Sequence, residues 1–186
     1  MIEAERIGKR YGDRWIFRGV SFYVGQGECL LVTGANGAGK STLLRMIAGL
    51  EPPSEGSVGG AATVGYCSPE LRLYPMLSAE EHLQLAGNLR GIPASCGLLD
   101  RVGLHAKARD RVSTYSTGMR SRLKFALAIQ QRPELLVLDE PGAGLDKGGR
   151  ALLDELVDEQ RKRGAIVLAT NDPAERRFGD LELRLD

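Results

Sequence analysis

Apolar residues along this chain fall into short runs that alternate with stretches of helical spacing. Trp15 to Val24 partly alternates and is rich in β-formers, which predicts an early strand. Glu28 to Thr33 is a short apolar run ending at a glycine-rich turn, the pattern of a buried strand. Ser41 to Ala48 then carries Leu43, Leu44, Ile47 and Ala48 on one side of a helix, with Gly49 placed to end it. Residues 51–62 read as a glycine-rich loop, and Val64 to Cys67 as a short strand. Residues 78–110 read as mainly helical, with a break at Gly91-Ile92-Pro93. Thr117 to Gln131 is amphipathic and stops before Pro133. Buried strands are expected at Leu135–Leu138, Ala165–Ala169 and Leu181–Leu185, with helix over Asp154–Arg163. Strands alternating with helices predict an α/β fold: a largely parallel sheet covered on both faces. The helical stretch at about 70–115 is expected to form a subdomain of a single 186-residue domain.

Composition narrows the function. The chain has 25 basic and 24 acidic residues and a net charge of +1, so the basic excess of a nucleic-acid binder is missing. Cys29, Cys67 and Cys96 are scattered, and the two histidines, His82 and His105, form no metal-binding spacing with them. A reducing compartment is expected. The first residues, MIEAERIGKRYG, lack the apolar stretch of a signal peptide. No apolar run approaches the roughly 18 residues of a membrane span.

The strongest chemical signal is Gly34-Ala35-Asn36-Gly37-Ala38-Gly39-Lys40-Ser41-Thr42. It fits GxxxxGK[ST] and lies between a predicted strand and a predicted helix, as a phosphate-binding loop requires. The glycines let successive N–H groups converge on phosphate oxygens, and the helix start adds about half a positive charge. Lys40 is expected to reach the β- and γ-phosphates of ATP and Ser41 to ligate Mg²⁺. Leu135 to Glu140 complements the loop. Asp139, at the end of a buried strand, can hold Mg²⁺ through its water shell, while Glu140 can polarise an attacking water. Ser116-Thr117-Gly118-Met119 opens the amphipathic helix, with Ser116 as its N-cap.

In this order, the motifs resemble the nucleotide-binding subunit of the ATP-binding cassette (ABC) transporter family, in its single-cassette bacterial form. The resemblance covers nearly the whole chain. Gly34–Thr42 resembles the Walker A loop and Leu135–Glu140 resembles Walker B. Tyr115–Met119 resembles a variant of the LSGGQ signature, and Gly144-Leu145-Asp146 resembles the D-loop. Tyr11 falls where the family stacks an aromatic ring on adenine. The resemblance implies a P-loop fold with a small antiparallel portion and a helical subdomain. It also implies a head-to-tail pair in which ATP lies between Lys40 of one subunit and Ser116 and Gly118 of the other. A separate transmembrane permease would dock on the region around Glu70 to Arg90, holding the protein at the cytoplasmic face of the cell membrane. The short cassette, with no carboxy-terminal regulatory domain, looks more like exporters than sugar importers. A weakly hydrolysing regulatory subunit and a soluble ABC ATPase acting on DNA or ribosomes are the alternatives.

The sequence departs from the family's pattern in two places. Where the family has the glutamine of its Q-loop, the chain reads Ser68-Pro69-Glu70, so Pro69 or Glu70 takes that position. Where the family has its switch histidine, the chain has Asn171. An asparagine amide can donate a hydrogen bond but cannot become cationic. Asn171 is expected to assist Glu140; the other reading is an Asn-Asp-Pro turn with no catalytic part.

Overall fold

A computed structural model describes residues 1–93 and 97–185. Cys96, and the part of the predicted helical stretch over residues 94–96, lie outside those residues.

Five parallel strands form the central sheet, in the order β5-β6-β7-β3-β8. They are β3 (Cys29–Gly34), β5 (Val64–Cys67), β6 (Leu135–Asp139), β7 (Ala165–Ala169) and β8 (Leu181–Leu185). Every residue of β6 and β7 is buried, as expected of a parallel sheet covered on both sides. Strand β8, at the edge of the sheet, is buried only at Leu185 and is not the buried strand expected there. Because side chains alternate across a strand, successive residues enter different cores. Leu30, Val32, Leu135, Val137, Ala165 and Val167 face one core, and Cys29, Leu31, Leu136, Leu138, Ile166 and Leu168 the other.

The first core is closed by α1 (Lys40–Ile47), through Leu43, Leu44, Met46 and Ile47, and by a second, antiparallel sheet. That sheet contains β1 (Ile2–Tyr11), β2 (Arg14–Val24) and β4 (Glu55–Gly60) in the order β2-β1-β4. The loop expected over residues 51–62 therefore contains a strand. Its pairing with Ile2–Gly8 of β1 supplies the order that its glycine-rich sequence does not signal.

The second core is covered by α4 (Thr117–Ile129), α5 (Lys147–Arg161) and α2 (Ala79–Arg90). A capping box at Ser78 and Glu81 starts α2, and Gly91, at φ 67°, ends it. Beyond it the chain forms α3 (Gly97–Arg101) and two short 3₁₀ turns rather than the helix expected through residue 110. Ser116 caps α4, its Oγ accepting from the Met119 N–H at 3.2 Å. Asp146 caps α5 in the same way, so that helix starts earlier than its apolar spacing indicates.

Candidate functional site

Three neighbouring strands, β6, β7 and β3, deliver the candidate residues from their carboxyl ends. In open α/β sheets that edge is the usual ligand site. The loop after β3 bends through Gly37 and Gly39, at φ 85° and 98°. Gly39 caps α1 without any side-chain hydrogen bond, and no acidic residue lies in the first turn. The helix start thus presents open N–H groups to an anion. A β-carbon on Gly39 would lie 2.5 Å from Ile16 Cγ2, so a larger residue cannot keep this loop path. Ile16, Asn36, Gly37, Gly39, Lys40, Ser41 and Thr42 line a cavity of about 280 Å³ together with Asp139, Glu140 and Asn171.

Lys40 is buried within this cavity wall. Its Nζ donates to the carbonyls of Gly34 at 2.9 Å and Ala35 at 3.3 Å, and to Asn171 Oδ1 at 3.2 Å. The ammonium is therefore folded onto its own loop, with its charge facing the cavity. Asp139 is 3% exposed. Burial raises its pKa above the ordinary carboxylate value; the Ser41 hydroxyl, hydrogen-bonded to it, pulls the other way, and the Glu140 charge raises it further. Ser41 and Asp139 present two hard oxygen donors at the base of the phosphate loop, a set suited to Mg²⁺ that keeps several waters and takes phosphate oxygens. Among the described residues no cluster of three His, Cys, Asp or Glu side chains could hold a metal by itself.

Glu140 has φ 46°, a left-handed conformation that costs a non-glycine residue on the order of 1–3 kcal/mol. Its N–H donates to the Ala169 carbonyl at 2.8 Å, pinning the turn to β7. Its carboxylate accepts from the Asn171 amide Nδ2 at 2.8 Å and from the Asn171 backbone N–H at 3.2 Å. The same Nδ2 donates to Asn36 Oδ1 at 3.1 Å. The turn after β7 is built by other groups. Asp172 Oδ1 accepts from the Ala174 N–H at 2.9 Å, Pro173 starts the 3₁₀ turn, and Arg150 pairs with Asp172 at 2.8 Å. Asn171 is thereby left facing the cavity.

The remaining candidates lie elsewhere. Tyr11, at the end of β1, does not line the cavity; its hydroxyl donates to Glu51 Oε1 at 2.5 Å and it is 47% exposed. Ile16 on β2 lines it instead, a residue that no motif singles out. Ser116, Thr117 and Gly118 do not reach the Lys40 cavity of their own chain. They sit at the mouth of α4 against Gly144, whose carbonyl would lie 3.7 Å from a β-carbon on Gly118. Glu70 pairs with Arg45 at 3.1 Å, and the Pro69 carbonyl accepts from Lys124 Nζ at 2.7 Å. Pro69, Leu71 to Pro75, Thr117 and Lys124 line a groove of about 960 Å³ that extends to Asp139 and Glu140, so the two carboxylates front both cavities.

Comparison with known proteins agrees with this geometry. The family model described as ABC transporter matches residues 17–143. The linearmycin resistance ATP-binding protein LnrL of Bacillus subtilis (strain 168) is 36% identical over 92% of this chain and 61% of its own length. The aliphatic sulfonates import ATP-binding protein SsuB 2 of Burkholderia cenocepacia (strain HI2424) is 40% identical over 95% of this chain and 70% of its own. The chain thus spans less than two thirds of the linearmycin resistance protein. A solved structure described as the ATP-binding subunit of an ABC transporter superposes with a TM-score of 0.90 at 29% identity, covering 99% of this chain and 85% of that one. With a family match over more than half of its length, a five-stranded parallel sheet and a phosphate loop opening α1, the chain belongs to the ABC transporter family as an ATP-binding cassette.

Proposed function

We propose that this protein binds and hydrolyses ATP with Mg²⁺ and couples that cycle to a separate transmembrane permease. One observation carries the reading. Three segments far apart in sequence meet at a single cavity, where Asn171 joins the Glu140 carboxylate to the Lys40 ammonium. In this reading the N–H groups of Gly37 to Ser41 and the Lys40 ammonium take the β- and γ-phosphates. Ser41 and Asp139 would hold Mg²⁺, which neutralises charge on the phosphate oxygens. Glu140 accepts the proton of the attacking water. Asn171 fixes the Glu140 carboxylate with one amide hydrogen, and the other, given to Asn36 Oδ1 here, would turn to the γ-phosphate when ATP is bound.

Two copies pairing head to tail would complete the site. Ser116 and Gly118 have no partner role in their own chain's cavity and lie at a helix start, where unpaired N–H groups suit a γ-phosphate supplied by the other copy. The groove lined by Leu71 to Pro75 is the expected seat for a cytoplasmic segment of the permease, which would hold the protein at the cytoplasmic face of the membrane. No helix among the described residues is long and apolar enough to cross a membrane. An export direction rests on the Tyr115–Met119 signature; one relative named for import and one named for resistance match to similar degrees.

Phosphate release from Mg-ATP by the purified protein, compared with Glu140→Gln, tests the reading. Release above the Glu140→Gln level supports an ATPase. Nucleotide binding without such release supports the regulatory alternative that Asn171 raises.

A further inference from the structure

One buried carboxyl takes no part in the arrangement above. Glu175 lies in the 3₁₀ turn Pro173–Phe178 and is 3% exposed, yet neither of its side-chain oxygens makes a well-formed hydrogen bond. Buried polar groups are nearly always satisfied, so an orphan of this kind needs a reason. Its surroundings supply one. The loop that leaves Glu140 runs through Pro141, Gly142 and Ala143, and Gly142 has no side chain. A β-carbon there would overlap Oε1 of Glu175 and crowd its carboxyl carbon at 3.0 Å. The Glu175 carboxyl thus occupies the space in which a side chain at position 142 would begin.

We propose that Glu175 is a positioning residue for ATP hydrolysis: its carboxyl fills the gap that Gly142 leaves and sets the path of the loop that carries Glu140. This rests on the reading of the protein as an ATPase. Glu140 needs such support. Its backbone holds a left-handed conformation; the Ala169 carbonyl pins its N–H at 2.8 Å, and its own carbonyl accepts from the Ala143 N–H at a longer 3.2 Å, a bond that moves with the loop. If the loop beyond it sinks into an open gap, Glu140 rotates away from Asn171 and from the water it must orient. Small misplacements of a catalytic group lower the rate strongly. Glu175 is also two residues beyond Pro173 and four beyond Asn171, so one short turn carries both the residue that touches Glu140 and the residue that props its loop.

Charge explains why the carboxyl can stay in this place. Burial favours its neutral form; the Thr170 hydroxyl beside it favours the charged form; the Asp172 and Glu140 charges oppose ionisation, and Arg150, already paired with Asp172, favours it. The geometry of the gap, rather than an ion pair, holds the side chain.

The contact can be tested by a double-variant cycle, because adding a methyl at 142 replaces part of what removing the carboxyl at 175 takes away. Purified Glu175→Ala, Gly142→Ala and their combination are compared with the wild type for kcat and KM of Mg-ATP. Each single variant is expected to lower kcat about tenfold with KM within about twofold, and the combination to return to within about threefold of the wild type. Glu175→Gln, which keeps the shape without charge, is expected to keep most of the turnover. Single variants within about twofold of the wild type, or a combination whose loss equals the product of the two single losses, would overturn the proposal. If Glu175→Ala is too unstable to purify, Glu175→Asp, which draws the carboxyl back by one methylene, takes its place in the same cycle with the same criteria. A wild type that releases no more phosphate than Glu140→Gln overturns the ATPase reading together with this proposal. An active wild type with unaffected single variants overturns this proposal alone.

Discussion

Asn171 donates its amide hydrogen to Glu140 Oε1 at 2.8 Å while its carbonyl oxygen accepts from Lys40 Nζ at 3.2 Å. One uncharged side chain thus joins the candidate base to the candidate phosphate-binding cation. The strand order explains why it can. Strand β7 lies between β6 and β3, so the residue just past its end is placed between Glu140 and the phosphate loop. An imidazole at this position could span the same gap, but an amide does so with a fixed donor and a fixed acceptor that pH does not alter.

Removing that side chain should slow turnover more than it weakens ATP binding. Asn171→Ala is expected to lower kcat on the order of 10–10²-fold, somewhat less than the loss of a fully preorganised transition-state donor. ATP affinity, read by a fluorescent nucleotide analogue, should change less. Asn171→His should be tolerated or improve the rate. Unchanged turnover in Asn171→Ala would leave the residue as a turn element only.

Lys40 and Glu140 should separate binding from chemistry. Lys40→Ala removes a buried cation and leaves the Gly34 and Ala35 carbonyls without their donor. A charge-assisted contact of this kind is worth about 1.5–3 kcal/mol, so ATP affinity should fall roughly 10–100-fold. Glu140→Gln keeps the shape and the contact with Asn171 but not the basicity. It should bind ATP at least as well as the wild type and elute as a dimer when ATP is added to a gel-filtration column.

The phosphate loop was legible in the sequence because it is local. Gly34 to Thr42 needs only a strand before it and a helix after it, and both are signalled by apolar spacing. The central sheet was legible for a similar reason, since runs such as Leu135–Leu138 and Ala165–Ala169 are buried on both faces. The features that escaped depend on partners distant in sequence. Ile16 reaches the cavity from a different sheet, and alternation in β2 identifies a strand without saying what it faces. Strand β4 lacks apolar alternation, and only its pairing with β1 makes it a strand. Glu175 lies in the run Glu175-Arg176-Arg177, which reads as a solvated face. Its burial depends on Gly142, thirty-three positions earlier in the chain.

Whether Gly118 serves its own chain or a second copy can be decided by mixing variants. A β-carbon at Gly118 meets nothing closer than the Gly144 carbonyl at 3.7 Å, so Gly118→Asp should fold. Its carboxylate would repel a γ-phosphate supplied by the other copy. Lys40→Ala and Gly118→Asp should each be nearly inactive alone. In a head-to-tail pair of one chain of each kind, one site carries both lesions and the other carries neither. An equal mixture should therefore regain roughly a quarter of wild-type turnover. No recovery on mixing, with both variants able to dimerise, would argue against a shared site.

The burial of Glu175 also makes stability depend on pH in a direction that can be stated. Burial holds its carboxyl above the ordinary pKa, with the Asp172 and Glu140 charges adding to the effect against the Thr170 hydroxyl and Arg150. A carboxyl raised in the folded state is neutral in both states at low pH and costs nothing there. As pH rises past its unfolded value, the unfolded chain gains by releasing the proton while the folded chain does not, and stability is lost until the folded group ionises. Glutamine has the same shape and no proton to lose. Glu175→Gln should therefore gain melting temperature relative to the wild type as pH is raised from about 5 to about 8, the reverse of removing a salt-bridged carboxylate. Thermal melts of the two proteins across that range check it. A difference between them that stays constant with pH would mean that burial beneath the Gly142 loop does not raise the Glu175 pKa.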